Sequence, residues 1–582
     1  MGNILFDIGS IIIIATLIGF IARLFRQPLI PSYILAGIIL GPVGLKIVED
    51  TQTIALLSEI GIAFLLFIVG MELDMRKLKD ISFSVSLSGV IQISLMFFIG
   101  LIIGNLLGAF HIIDGSNLLQ SVYFALMVSF SSTLVVIKMI SDKEELDTLH
   151  GRIIIGILLI EDLFAVLAIS VLSIDHFTGW IIIGALAKGL FVVILAILLG
   201  KYVFNSLFGL AAKSTEMLFL MSLTVCFAFV LLAGSLGLSI VIGSFMAGVA
   251  LSNLPYHFEI ISKVMPLRDF FATIFFVTLG MEIIPRSLHA YLIPLVVLTF
   301  VVIIIKPLLI MLLQALFGFT ARTAFLTGIN LAQVSEFMLI IVAQGYVKGH
   351  ISGGLFSMTV ILATITITMT SYFIKFDNQL YRFFQPYLRW LDRLSPMKHE
   401  PVYDGVEQDY EAILIGYNRI AYSIAKKLRQ MEKKFLVIDY NPDLIKRLQK
   451  EKIPCIYGDV ANMEILKKIN FKKVELVIST VPDPGDNNLV VDYVKNRSHR
   501  TIIFVTATNL DEALLFYDHG ADYVILPHYL GGDHVSMIIE DTASDISKIL
   551  ANKMQHIDEL KERKRYGHDH PRWGHPSTAH PP

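Results

Sequence analysis

Phe64–Asp74 reads FLLFIVGMELD and Ile274–Ile283 reads IFFVTLGMEI, two apolar runs that end on the same Gly-Met-Glu step. A bilayer core takes about 20 apolar residues of helix. With that ruler the chain divides into thirteen spans: 8–25, 29–46, 54–73, 82–107, 117–139, 151–174, 180–204, 215–234, 237–253, 267–284, 289–316, 322–347 and 351–374. The first motif lies in the third span and the second in the tenth. An offset of seven spans is odd, so the two copies run through the membrane in opposite directions. That is the sequence mark of an inverted-topology repeat, in which a site forms near the midplane where discontinuous helices cross. A chance likeness between two apolar helix ends is the competing explanation, and the shared Gly-Met-Glu argues against it.

The same offset pairs the fifth span with the twelfth. Both carry polar clusters at mid-span: Ser129, Ser131, Ser132 and Thr133 in one, Asn330, Gln333, Ser335 and Glu336 in the other. Backbone can leave the helix inside a membrane only where side chains, water or protein satisfy the freed groups. These two spans are therefore the candidates for crossed, locally unwound helices.

Ionisable residues inside a span are costly and mark function by default. Glu161 and Asp162 are adjacent in the sixth span, about ten residues in from its cytoplasmic end. Lys306 lies well inside the eleventh, followed by Pro307, and Glu336 lies inside the twelfth. Neighbouring helical residues point about 100° apart, so Glu161 and Asp162 cannot share one partner. One is expected to pair with Lys306 while the other faces a solvent-filled cavity. A carboxylate in that position suits exchange, because a proton and a bare cation compete for it. A structural ion-pair cluster holding helices together is the alternative, and it weighs more for Glu161 and Lys306 than for Asp162; Glu336 has a comparable structural reading as a hydrogen-bonding group.

Composition agrees with a membrane protein. Of 582 residues, 55% are hydrophobic and only 16% charged, against about a quarter in soluble domains, and the mean hydropathy is +0.69. Formal net charge is −2, which gives no footing for nucleic acid. The apolar runs stop near residue 375, which divides the chain into a membrane domain (1–375), a connector (376–409), a soluble domain (410–545) and a tail (546–582). The N-terminus lacks a basic leader and a small-residue cleavage site, so it reads as the first transmembrane helix. Cys226 and Cys455 fall one in each half, so no disulfide is expected.

Lys and Arg fix the orientation. The odd-numbered connections hold Arg23 and Arg26; Arg76, Lys77 and Lys79; Lys138, Lys143 and Arg152; Lys201 and Lys213; Lys263 and Arg268; and Arg322. The even-numbered ones hold Lys46, Arg286 and Lys348. Thirteen against three places the N-terminus outside and the soluble domain in the cytoplasm, across an inner (plasma) membrane.

In the soluble part, apolar strands at Ala412–Gly416, Phe435–Asp439, Ile453–Tyr457, Leu476–Val481, Thr501–Thr506 and Tyr523–Leu526 alternate with amphipathic helices, the pattern of a doubly wound parallel α/β sheet of Rossmann type. The first turn, Gly416-Tyr-Asn418-Arg419-Ile-Ala421, stands where a G-x-G-x-x-G fingerprint would, with only its first glycine kept. Asp439 ends the second strand, suited to a ribose hydroxyl. Asp459, after the third strand, and Thr480, near the end of the fourth, complete the candidates for a nucleotide such as NAD(H) or AMP. A degenerate domain used for dimerisation is the alternative. No dehydrogenase constellation is evident, so a sensor fits better than an enzyme. The tail, with His568, His570, His575 and His580, reads as a disordered polar segment.

With these residues assembled, the chain resembles the Kef branch of the monovalent cation:proton antiporters, the glutathione-regulated potassium-efflux type. The resemblance covers about 5–545 and rests on FLLFIVGMELD, SFSSTLVV, the acidic pair in GILLIEDLFAV, IIIKP, NLAQVSEF and an appended RCK/TrkA-N type of domain. It implies a homodimer in which a core domain moves against a dimerisation domain, exchanging K⁺ or Na⁺ for H⁺ under a nucleotide or glutathione-type regulator. It puts Asp162 on the ion-binding aspartate, Lys306 on the basic residue of the crossed-helix region, Ser132 and Thr133 on the first broken helix, and Arg419 near the glutathione site; Gln333 and Glu336 join the ion-coupling set. Kef-type members carry Gln ahead of the aspartate. This chain has Glu161, the two-carboxylate pattern of electrogenic sodium/proton exchangers, and the residues leave K⁺ against Na⁺ open. A cation channel gated by its cytoplasmic domain is the rival class, and the sequence has no TVGYG-like filter for it.

Overall fold

The computed structural model describes residues 4–25, 27–48, 51–72, 83–110, 118–143, 145–146, 148–172, 179–212, 214–285, 289–394, 409–417, 419–439, 442–458, 460, 466, 469–481, 483–527, 529–530 and 536. The expectations placed on Arg26, Asp74, Arg76, Lys77, Lys79, Lys213, Arg286, Asn418, Asp459 and the 546–582 tail lie outside the described residues. The chain forms two compact units. One comprises Met1–Lys143, Ile153–Leu313 and Phe325–Leu380, the other Glu144–Arg152, Gln314–Ala324 and Tyr381–Pro582.

The first unit is helical. In chain order it holds α1 (Ile4–Leu24), α2 (Leu29–Leu40), α3 (Thr51–Glu72), α4 (Phe83–Ala109), α5 (Leu118–Ser129), α6 (Thr133–Asp142), α7 (Leu149–Leu172), α8 (Gly179–Leu199), α9 (Asn205–Ala211), α10 (Thr215–Ser235), α11 (Ile240–Ser252), α12 (His257–Met281), α13 (Leu292–Phe300), α14 (Lys306–Leu316), α15 (Ala321–Asn330), α16 (Glu336–Val347) and α17 (Gly353–Lys375), several of which run on into the second unit. Among the described residues nine helices are long and apolar enough to cross a membrane, while α2, α11 and α16 are shorter apolar helices. Every expected span falls on a helix or on a pair of helices in line. The fifth span is α5 and α6 with residues 130–132 unwound between them, and the twelfth is α15 and α16 with 331–335 unwound. Large apolar side chains such as Leu5, Val296 and Leu231 stand 67–79% exposed on outer helices, as lipid-facing residues do in a bilayer. Both cysteines are buried free thiols.

Some boundaries differ from the sequence reading for local reasons. The second span ends at Leu40 and not at 46, because Gly41 begins a turn in which Leu45 N donates to the Ile39 carbonyl. The helix of the tenth span, α12, starts at His257, ten residues before its apolar stretch, so its first turns carry Glu259 and Lys263. The connector is partly helical, with an amphipathic α18 at Asp377–Leu394.

The inverted repeat is built into the packing. A Cβ on Gly70, in the first Gly-Met-Glu, would run into the Phe245 carbonyl of α11, and one on Gly248 of α11 into the Phe67 carbonyl of α3. The second motif repeats this: a Cβ on Gly280 would meet the Ile34 carbonyl of α2, and one on Gly37 would meet the Val277 carbonyl. Each motif glycine therefore crosses a glycine of the helix seven spans from its counterpart's partner, α3 on α11 and α12 on α2. Bare backbone at such crossings lets membrane helices approach closely.

The soluble unit contains β1 (Ala412–Ile415), α19 (Arg419–Gln430), β2 (Phe435–Asp439), α20 (Pro442–Lys450), β3 (Cys455–Tyr457), β4 (Leu476–Ser479), α21 (Pro484–Lys495), β5 (Ile502–Thr506), α22 (Leu510–Asp518) and β6 (Tyr523–Ile525). All strands pair in parallel in the order β3-β2-β1-β4-β5-β6. The order reverses between β1 and β4, and open α/β sheets bind ligands in the crevice beyond that switch point. The strands are one to two residues shorter than their apolar runs, except β2, which has the expected bounds.

Replacing Gly280 by Leu forces side-chain bulk into a backbone-to-backbone crossing. We expect a loss of about 1–3 kcal/mol, read as a lowered unfolding midpoint of the detergent-purified protein, and a similar loss for Gly70→Leu. An unchanged midpoint in both would show that these crossings are loose.

Candidate functional site

The two unwound segments hold each other. Ser131 Oγ donates to the Leu331 carbonyl at 3.1 Å, and Gln333 Nε2 donates to the Ser132 carbonyl at 3.2 Å. Neighbouring threonines take up more of the freed backbone: Thr370 Oγ1 donates to the Ala332 carbonyl at 2.6 Å, and Val334 N donates to Thr366 Oγ1 at 3.3 Å. The second half of each span begins with a serine N-cap, Ser132 accepting from Val135 N and Ser335 from Phe337 N. Glu336 Oε1 accepts from Leu134 N at 3.1 Å, so the first residue of α16 also caps α6. A carboxylate there meets the positive end of the α6 dipole.

Lys306 is fully buried and its Nζ donates to the Gln333 carbonyl at 3.1 Å. It follows a π-helical stretch, Val301–Ile305, a distortion that recurs at functional sites. A Cβ on Gly328 of α15 would sit 2.8 Å from the Pro307 carbonyl, so this glycine lets α15 lie against α14 just beyond the lysine.

The adjacent carboxylates have different surroundings. Glu161 accepts from Ser131 N at 2.5 Å, from Gln92 Nε2 at 2.8 Å and from Ser131 Oγ at 3.4 Å, and it interacts electrostatically with Lys306. Asp162 accepts from Thr133 Oγ1 at 2.8 Å. Its charged neighbours are Glu336, Glu161 and Glu72, all acidic. Asp162, Glu161 and Glu336 are all at most 4% exposed. Of the three buried carboxylates, Glu161 is the one that interacts with the buried Lys306 ammonium, and Arg268 acts on Glu336 as a further positive charge. Buried charge without compensation is expensive, so this cluster favours taking up a proton or a cation. Among the described residues, Gln92 Oε1, Gln333 Oε1 and Glu336 Oε2 are buried oxygens with no hydrogen-bond partner; oxygens of this kind are what an alkali cation requires once it sheds water.

The structure therefore brings Asp162, Glu161, Lys306, Ser132, Thr133, Gln333 and Glu336 into one crossed-helix region. Gln92 and Ser131 contribute directly to Glu161 and were not among the expected site residues. Ser131 stands inside the polar cluster of the fifth span and could have been chosen from it; Gln92 is a single amide in an apolar helix, and sequence offers no sign of its partner.

In the soluble unit, Gly416 has φ +78°, a conformation that favours glycine. Tyr417 N donates to Asp439 Oδ2 at 2.7 Å, and Thr480 Oγ1 donates to the Gly416 carbonyl at 3.0 Å. Gly416, Asp439 and Thr480 thus meet at the strand ends on the switch point. Burial pushes the Tyr417 phenol up to about 12, so it stays neutral. Arg419 opens α19. The left-handed glycine, the start of a helix and a carboxylate at the end of β2 fit a nucleotide. Asn487, missed in the sequence, ties α21 to the sheet through Ser479 Oγ and the carbonyls of Val481 and Thr506.

Residues 11–376 match the family described as sodium/hydrogen exchanger, transmembrane, and residues 412–527 match the TrkA-N domain. The glutathione-regulated potassium-efflux system protein KefC of Escherichia coli O81 (strain ED1a) is 25% identical over 499 residues, 84% of this chain and 77% of KefC. K(+) efflux antiporter 5 of Arabidopsis thaliana is 28% identical over 379 residues, 63% of this chain and 66% of that protein. Among solved structures, the sodium proton antiporter MjNhaP1 of Methanocaldococcus jannaschii gives a TM-score of 0.47 at 15% identity, covering 67% of this chain and 97% of the other.

Gln92→Leu removes a buried donor from an ionisable carboxylate. The expected cost is about 1.5–3 kcal/mol, read as a lower unfolding midpoint, and Gln92→Glu should cost more because it adds a like charge. A midpoint equal to wild type for Gln92→Leu would mean that Glu161 does not depend on this amide.

Proposed function

Because the chain belongs to the sodium/hydrogen exchanger family, we propose that it exchanges K⁺ for H⁺ by alternating access, with Asp162 as the group that carries either ion. It is a multi-pass cation/proton antiporter with a C-terminal TrkA-N domain. The observation that carries the reading is the asymmetry of the acidic pair: Glu161 takes the lysine and three donors, whereas Asp162 has a threonine hydroxyl and acidic neighbours. Asp162 binds a proton on one side of the membrane. On the other, a cation that has shed water displaces it, held by the carboxylate, Thr133 and the bare amide oxygens of Gln92 and Gln333. Glu161, Lys306 and Glu336 keep the unwound segments in place and set the local charge. Since proton and cation use the same carboxylate, each crossing carries one or the other.

K⁺ is the preferred cargo in this reading, because both relatives above are named for potassium efflux. Na⁺ is the second reading, favoured by the carboxylate at 161. The N-terminus lies outside and the TrkA-N domain in the cytoplasm of an inner (plasma) membrane, and the working unit is a homodimer. The TrkA-N domain is a nucleotide-binding fold, and Gly416, Arg419 and Asp439 would hold NAD(H) or AMP as an effector. A glutathione-type regulator is an alternative effector, by analogy with the name of KefC.

The test is reconstitution into vesicles with a pH-gradient dye and added K⁺ or Na⁺. Wild type should collapse the gradient, and Asp162→Asn should reduce the signal to that of empty vesicles. The half-saturating cation concentration should rise as pH falls, by up to about tenfold per unit where the proton holds the site. Cation flux without proton movement would favour a channel.

A further inference from the structure

We propose that Arg322 is a clasp through which the TrkA-N domain restrains the first half of the broken twelfth span. The proposal rests on the antiport reading above for its consequence, but not for the clasp itself. Arg322 is the second residue of α15 and belongs to the second unit, together with the sheet. Its guanidinium donates from Nη2 to Asp483 Oδ1 at 2.9 Å and pairs through Nη1 with Asp486. The three side chains are only 7–12% exposed, and a planar fork between two carboxylates is the geometry that arginine supplies and lysine does not.

Asp483 is also the N-cap of α21, accepting from Gly485 N and Asp486 N at 2.7 and 3.1 Å. A Cβ on Gly485 would stand 2.7 Å from Arg322 Nη2, so the residue between the two acids is one that leaves room for the guanidinium. On the far side, Thr480 touches Gly416 and Asn487 locks α21 to the sheet. Only two residues lie between Thr480, at the nucleotide turn, and Asp483. From Arg322, α15 runs without interruption to Asn330 and into the unwound segment that carries Gln333. A shift at the glycine turn therefore has a short, hydrogen-bonded route to the ion-site backbone.

The test uses the full chain, with Arg322→Gln, Asp486→Asn and the double variant, read in two ways. Deuterium uptake at 321–331 and at 484–487 should rise together in each single variant. Potassium-driven exchange in vesicles should speed up about fivefold with the half-saturating K⁺ unchanged, since no ion ligand is altered. The double variant should match the singles, because the second change breaks a contact already lost. Should Arg322→Gln fail to fold, Gly485→Ala keeps every charge and pushes the guanidinium away, with the same expected effect. Additive effects, or uptake and turnover both unchanged, would overturn the clasp. If wild type exchanges no cation, the antiport reading fails, while deuterium uptake still decides the clasp.

Discussion

Unwound backbone inside a membrane is the constraint on which the transport domain depends. Each free N–H or C=O in hydrocarbon costs several kcal/mol unless it is paired, and here two such segments, 130–132 and 331–335, lie against each other. They are satisfied by Ser131, Gln333, Lys306, Thr366, Thr370 and Glu161. Two of the groups tied to this region, Glu161, which accepts from Ser131 N, and Glu336, which caps α6, are also acidic neighbours of Asp162. In the proposed exchange, structural repair and ion chemistry therefore meet at Glu161 and Glu336.

This sharing explains the unequal division of labour between two neighbouring carboxylates. Glu161 is drawn into the repair, held by Ser131 and Gln92 and offset by Lys306, and its charge is largely committed. Asp162, about 100° round the same helix, meets Thr133 and a field of acidic groups. A site with a fixed charge balance cannot exchange ions. One with a carboxylate left over can, and in the proposed exchange that carboxylate is Asp162, beside Thr133 at the start of α6.

Much of this was legible in the sequence. The repeated Gly-Met-Glu fixed the symmetry, and the serine and amide clusters marked both unwound segments, because polar side chains in apolar spans are rarely placed without a use. The alternating strands of the soluble part also read clearly. Tertiary partners did not. Gly37 and Gly248 look like any glycines in apolar helices until their crossings with Gly280 and Gly70 are seen. Gln92 is a lone amide, and Arg322 reads as one more cytoplasmic positive charge, its acidic partners more than 150 residues away. Helix and strand ends drifted for a related reason: hydropathy measures where a segment is apolar, whereas turns such as that at Gly41 and caps such as Ser132 decide where it stops.

The central claim is that a proton and a cation compete for Asp162. Its most direct test is titration calorimetry of the purified protein with K⁺ or Na⁺ in two buffers of different ionisation enthalpy. The account predicts release of about one proton per bound cation near the site's titration point, lost in Asp162→Asn. Cation binding without proton release in wild type, or release that persists in Asp162→Asn, would contradict it.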